Sequence, residues 1–190
     1  MVMPKLWNDT IEAHRTAVRD ATIDITAKLA VKYGIPAVTM SLIAKETGIG
    51  RATLYKYFPD VETILFAWHE RQIARHLAHI EKVAEGASGP VARLTSVLEA
   101  YAIIVHAHHG TGFNAALHRR PGAKQAELTL HRFVSTLIAQ ATAAGELRAD
   151  IPADELAHFA LAGLAAASQL PTKAAVNRLV LLILSGLRAS

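Results

Sequence analysis

Six consecutive residues, RATLYK from Arg51 to Lys56, bring two cations and two hydroxyls together. The Arg51 guanidinium and the Lys56 ammonium can reach guanine edges or phosphates. Thr53 and Tyr55 supply hydroxyls for phosphate oxygens, and Ala52 is small enough to approach a thymine methyl. No acid lies between Glu46 and Asp60. A surface that faces a long polyanion has this composition. An exposed hairpin of two helices inside an ordinary bundle has it too, so spacing alone leaves both readings open.

The histidines are the second group. There are ten, six of them between 106 and 158, including HAHH at 106–109. His106 and His109 are spaced to share a metal on one helix face. Zinc needs three or four ligands with partners that fix each ring. Glu99 sits two turns before His106, too far to complete a set. The expectation is therefore no metal and no cofactor, with surface or half-buried histidines. A nucleophile elbow, a P-loop, an HExxH helix and a dinucleotide-binding glycine turn are all missing. The GASGP run at 86–90 lies between two helices and lacks a phosphate-loop lysine. The chain reads as a non-enzyme.

Bulk properties narrow the class. The 190 residues include no cysteine, which excludes disulfides, thiol catalysis and cysteine-ligated zinc. The net charge is +4, a weak pointer to nucleic acid. Residues 1–60 hold eight Lys/Arg against six Asp/Glu, so positive charge is denser there. No stretch reaches the roughly 18 uninterrupted apolar residues of a membrane span. The nearest, Val176 to Leu187, is broken by Asn177, Arg178 and Ser185. The start of the chain has no apolar run of signal-peptide length. These features predict a cytoplasmic protein with no membrane partner.

The elements that must position the Arg51–Lys56 run are helical. Apolar residues recur with a period near 3.6, and alternating strand patterns are absent. The pattern predicts helices over about 10–33, 40–47, 51–57, 61–85, 91–109, 113–118, 124–144, 154–169 and 171–187. On the first, Ala21, Ile25, Leu29 and Lys32 or Tyr33 form the expected stripe. Thr39, Asp60 and Asp154 are the expected caps. Gly34 and Gly145 close helices, and Pro121-Gly122 separates two. The second and third helices have the length of a helix-turn-helix. Ile43, Ala44, Ile49 and Leu54 pack into its small core, Gly48 makes the turn, and Gly50 caps the third helix. In this motif the N-terminal half of the second helix enters the major groove while the first crosses the backbone.

Residues 19–66 resemble the N-terminal domain of the TetR (tetracycline-repressor-like) family of transcriptional regulators. The resemblance stands on YGIPAVTMSLIAKETGIGRATLYKYFPDVETIL, with Gly34, Thr39, Gly48, Thr53-Leu54-Tyr55, Tyr57-Phe58 and Leu65 in the family's spacing. It covers about a quarter of the chain; the remainder is similar only in length and helicity. The resemblance implies an all-α, nine-helix architecture. Residues 1–60 would form the DNA-binding domain and 61–190 the ligand-binding and dimerisation domain. It implies double-stranded DNA as partner, read through Thr39, Ser41, Arg51, Ala52, Thr53, Tyr55 and Lys56. It also implies repression of a palindromic operator, relieved by a small-molecule effector. A helical small-molecule or metal sensor that has lost DNA binding is the alternative. Gly50 stands where the family often has Ser, and Val61 where a phosphate-binding Lys is common. Ala30 replaces an aromatic, and Ser41-Leu42 a charged or polar pair. Fewer phosphate contacts predict a shallow salt dependence of binding.

A single reading helix covers few base pairs, so two half-sites and a two-fold dimer are expected. The eighth and ninth helices suit the contact. The first is rich in small residues and the second is apolar almost all round. The family's effector pocket lies between helices of the C-terminal part. Trp68, Tyr101, His108, Phe113, Leu117, His131 and Val134 are the candidates to line it, and each also suits plain core.

Overall fold

The structure is a computed structural model that describes residues 5–107 and 121–188. Its order is α1 (Lys5–Tyr33), a 3₁₀ turn (Ile35–Ala37), α2 (Met40–Thr47), α3 (Arg51–Tyr57), α4 (Val61–Glu85) and α5 (Pro90–Ala107). After residue 120 come α6 (Pro121–Ala143), α7 (Ala153–Leu164), a second 3₁₀ turn (Ala165–Gln169) and α8 (Lys173–Leu187). The protein is all α, and no strand occurs among the described residues. Eight of the nine expected helices are seen. The ninth, expected at 113–118, lies outside the described residues, as do His108, Phe113 and Leu117. Contacts along the chain define two compact units, Met1–Gln72 and Ile73–Ser190, with the boundary inside α4.

The first unit is built around Ile23, Ile43, Leu54, Phe58 and Ile64, each nearly or fully buried. The buried stripe of α1 differs from the expected one. Ala21, Lys32 and Tyr33 are exposed and Ile25 only half-buried, while Thr22, Ile23, Thr26 and Leu29 point inward. Two threonines enter the core because each satisfies its own hydroxyl. Thr22 donates to the Val18 carbonyl and Thr26 to the Thr22 carbonyl, both at 2.8 Å. Arg71 of α4 adds ion pairs to α1, with Asp20 at 3.4 Å and with Asp24. Both carboxylates are about half exposed, so these pairs orient more than they stabilise.

The second unit has a larger core, with Leu94, Val97 and Leu98 of α5 facing Val134, Leu137 and Ile138 of α6. α7 and α8 close it through Leu156, Leu164, Val180 and Ile183. Three local expectations are corrected here. Pro121 opens α6 instead of standing before it, because the first helical position needs no N–H. Asp154 does not cap α7; Pro152 holds that position and Asp154 sits in the first turn, where the helix dipole favours an anion. α7 stops at Leu164, and the expected run to Gln169 is completed by the 3₁₀ turn. Beyond α6, Arg148 grips the end of α8. Its backbone N–H donates to the Leu187 carbonyl at 3.0 Å and its guanidinium to the Gly186 carbonyl at 3.3 Å. Asp150 holds that guanidinium from the other side at 2.6 and 2.8 Å.

Candidate nucleic-acid interface

Three local devices set the helix-turn-helix. Thr39 caps α2, its hydroxyl oxygen accepting from the Leu42 N–H at 3.2 Å. Gly48 ends α2 with φ 73° and ψ 9°, a left-handed conformation that a side chain resists. Asp60 caps α4, its carboxylate accepting from the Thr63 N–H at 2.7 Å. That bond holds the Asp60 carboxyl below its usual range, so it stays ionised. α3 has no such cap. Gly50 stands at its N-cap with φ −62° and ψ 142° and no side chain to accept a bond.

This frame splits α3 into two faces. Leu54 and Phe58, four residues apart, are buried in the core of the first unit with Ile43 and Ala44 of α2. Arg51, Ala52, Thr53, Tyr55 and Lys56 are all exposed, Tyr55 at 47%. Thr39 and Ser41, at the start of α2, are exposed as well. Neither Arg51 nor Lys56 enters an ion pair among the described residues. The seven sequence-derived residues therefore lie on α3 and at the N-terminus of α2, open to a partner. An exposed row of cations and hydroxyls, held by two buried anchors, is suited to a phosphate backbone and the groove beside it.

Arg19 was not singled out by sequence reasoning. Its guanidinium lies over the Phe58 ring, 5.6 Å from the centroid, beside the C-terminal end of α3. Hydrophobic periodicity carries no signal for such a contact, because it joins residues 39 positions apart.

The effector candidates are more scattered. Trp68 packs against the core of the first unit, whereas Tyr101, His131 and Val134 belong to the second. Val134 is fully buried in the core. Tyr101 is half-buried, and burial together with Glu127 pushes its phenol above the usual range. His131 pairs with Asp154 at 3.5 Å, and its ring stands edge-on to His158 with centroids 6.2 Å apart. Those residues line an open groove of about 580 Å³ with Leu128, Glu155 and Phe159. Tyr101 and Val134 do not line it. Of the other histidines, His106 places Nδ1 3.1 Å from the Ala167 carbonyl oxygen. Among the described residues, no three His, Cys, Asp or Glu side chains are grouped to hold a metal. No described helix is long and apolar enough to cross a membrane.

A short helix, a left-handed glycine turn and an outward-facing cationic helix define the class: a helix-turn-helix DNA-binding regulator. Comparison with known proteins makes it more specific. Residues 23–67 match the bacterial regulatory proteins of the tetR family, and residues 89–189 match the SbtR-like transcriptional regulator C-terminal domain. The chain belongs to the TetR family of transcriptional regulators. It is 28% identical over 137 residues to the HTH-type transcriptional regulator HbdR of Aromatoleum sp. (strain CIB), 68% of this chain and 60% of that protein. It is 31% identical over 62 residues to SAUSA300_2515, an HTH-type transcriptional regulator of Staphylococcus aureus (strain USA300), 33% of this chain and 34% of that protein. The chain thus spans less than two thirds of either relative. Among solved structures, a TetR/AcrR-family regulator from Thermobifida fusca YX-ER1 superposes with a TM-score of 0.79 at 20% identity, covering 90% of this chain and 98% of that one. The ketosteroid transcriptional regulator KstR2 of Mycobacterium tuberculosis gives 0.66 at 16% identity, over 90% and 95%. Both share the fold.

Proposed function

We propose that the protein is a cytoplasmic, ligand-released repressor that binds a palindromic operator as a homodimer. The observation that carries this reading is the split around α3, with Leu54 and the capping Phe58 inside and Arg51, Thr53, Tyr55 and Lys56 outside. Arg51 and Lys56 contact guanine edges or phosphates, and Ala52 meets a thymine methyl. Thr53, Tyr55, Thr39 and Ser41 donate hydroxyls to phosphate oxygens. Residues 1–60 read DNA, while 61–190 hold the effector and the dimer contact.

The dimer is supported by α7 and α8. Phe159, Leu181 and Leu182 are 53%, 63% and 69% exposed, large apolar side chains left mostly in water. Two reading helices about 34–36 Å apart then meet successive turns of the major groove. An effector bound in the second unit shifts that spacing by favouring one of two states. The test is selection of binding sites from random DNA, followed by retardation of the gene's upstream DNA in a gel. A palindrome should emerge, and Tyr55→Ala or Lys56→Ala should weaken retardation. Failure to retard any upstream fragment would overturn the reading in favour of a sensor without DNA binding.

A further inference from the structure

Arg19 is an exposed cation on α1. Its guanidinium lies over the Phe58 ring, 5.6 Å from the centroid. Phe58 is buried and caps the C-terminus of α3, its N–H donating to the Leu54 carbonyl at 3.0 Å. Arg19 thus stands at the end of the reading helix although it belongs to another. It enters no ion pair among the described residues. The acids nearest to it in the chain are engaged elsewhere. Asp20, the next residue, pairs with Arg71 at 3.4 Å. Asp60, the first acid after Phe58, accepts from the Thr63 N–H. Arg15, one turn earlier on α1, differs from Arg19 in having its own partner, Glu12 at 3.6 Å. Lys56, two residues before Phe58, is exposed as well. Two cations without a carboxylate partner therefore flank the C-terminal end of α3.

We infer that Arg19 binds a DNA phosphate at the rim of the major groove, beside the C-terminal end of α3. This rests on the DNA-binding reading above and adds to it a contact made from α1. The N-terminal half of a reading helix enters the groove. From Arg51 to Phe58 the chain advances about 10 Å along a helix axis, against a groove about 12 Å wide. With Arg51 among the bases, the other end of α3 stands near a sugar–phosphate strand. A helix C-terminus carries partial negative charge, which repels phosphate. A cation at that place reverses the sign. The Phe58 ring attracts the guanidinium without consuming its N–H donors, so they remain for a fork onto two phosphate oxygens. A side chain already held on a ring also loses less freedom on binding than a solvated one.

Fluorescence anisotropy of the full chain tests this over a range of salt, on the duplex that the parent enriches most from random DNA. Arg19→Gln should lower the slope of log K against log salt by about 0.9 for each bound subunit. At about 0.1 M salt that is roughly an eightfold loss of affinity per subunit. Arg19→Lys keeps the charge and should hold the slope within about 0.3 of the parent. Arg15→Gln should leave the slope unmoved, since Glu12 already pairs with that cation. Arg19→Gln should also select the same sequence as the parent, because a phosphate contact carries no base information. Circular dichroism melts check that the variants fold. If Arg19 only supports Phe58, affinity falls while the slope stays, and the inference is overturned. It is equally overturned if Arg19→Gln binds like the parent, if Arg19→Lys loses as much slope, or if Arg15→Gln does. Each of these leaves DNA binding itself standing. A parent that enriches no sequence would instead overturn the DNA-binding reading.

Discussion

Gly50→Ser should stabilise the protein, although most substitutions of a glycine beside a functional helix do harm. The N-cap dihedrals of Gly50 lie in the extended region that serine adopts without strain. A Cβ there would meet only the Thr53 hydroxyl, at an ordinary 3.8 Å. The new hydroxyl would accept from the Ala52 or Thr53 N–H, as Thr39 accepts from Leu42 on the neighbouring helix. The cap itself contributes a few tenths of a kcal/mol relative to glycine. Restricting the unfolded chain adds roughly 0.4–1 kcal/mol. A total of about 1 kcal/mol raises the melting temperature of a chain this long by about 2–4 °C. The assay is thermal and urea unfolding at one fixed protein concentration, because self-association would make stability concentration-dependent. Gly48→Ser is the control. It stands in open space, but its φ of 73° makes a side chain cost about 1–2 kcal/mol. The two changes lie two residues apart and should move stability in opposite directions. If the melting temperature of the Gly50→Ser variant falls or stays level with the parent, the cap geometry is refuted. In DNA binding, the neutral hydroxyl should raise affinity while leaving the salt slope unchanged, because it releases no counterion.

Lys56→Ala should lower the slope of log K against log salt by about 0.9, the contribution of one neutralised phosphate, with the melting temperature unmoved. Leu182→Arg should convert the protein to a monomer in sedimentation and remove palindrome binding, since it puts a charge among the exposed apolar side chains of α7 and α8. Asp60 should give a pH signature. Its folded carboxyl lies below the normal range because it accepts from the Thr63 N–H. Its stabilising contribution is thus present above the unfolded pKa of about 3.9 and is lost as pH falls through the lower folded value. Asp60→Ala should melt below the parent at pH 7, and the gap should narrow as pH falls below the unfolded carboxyl pKa. A constant gap across that range would show that the cap does not titrate as described. Leu54→Ala removes the fully buried anchor of α3 and should cost about 2–5 kcal/mol, read by urea unfolding.

The helix-turn-helix was legible because each of its determinants is local. Thr39, Gly48 and Asp60 act on backbone groups within a few residues of themselves, so residue type and position suffice. Leu54 was legible for a related reason: a lone leucine among polar residues on a short helix must be the inward one. The buried face of α1 was misread where burial stopped following hydropathy. Thr22 and Thr26 count as polar in any pattern, yet back-bonding to the preceding turn removes their need for water. Asp154 was misread as a cap because the sequence shows an acid near a helix start but not the extra residue between Pro152 and it. The carboxylate is used instead by His131, 23 positions earlier in the chain. Candidate pocket residues were the least legible. Trp68 and Val134 share apolar character but belong to different cores, and no local pattern distinguishes a core residue from a lining one.

α8 shows how far composition alone can carry an argument. Its near-continuous apolarity says that one face more than a subunit core requires is apolar. The structure divides the two faces residue by residue. Val180, Ile183, Leu184 and Leu187 are buried, while Leu181 and Leu182 between them stay in water. Leaving a leucine exposed instead of burying it forgoes about 1.5–3 kcal/mol. Two such residues in each subunit, with Phe159 beside them, form an apolar patch of the kind that marks an interaction site. An apolar patch alone does not choose its partner or its orientation, because hydrophobic attraction has no direction. A dimer that sets the distance between two reading helices needs an orientation beyond what an apolar patch supplies. A sliding contact would let the spacing drift from the roughly 34–36 Å of one DNA turn and lose the second half-site.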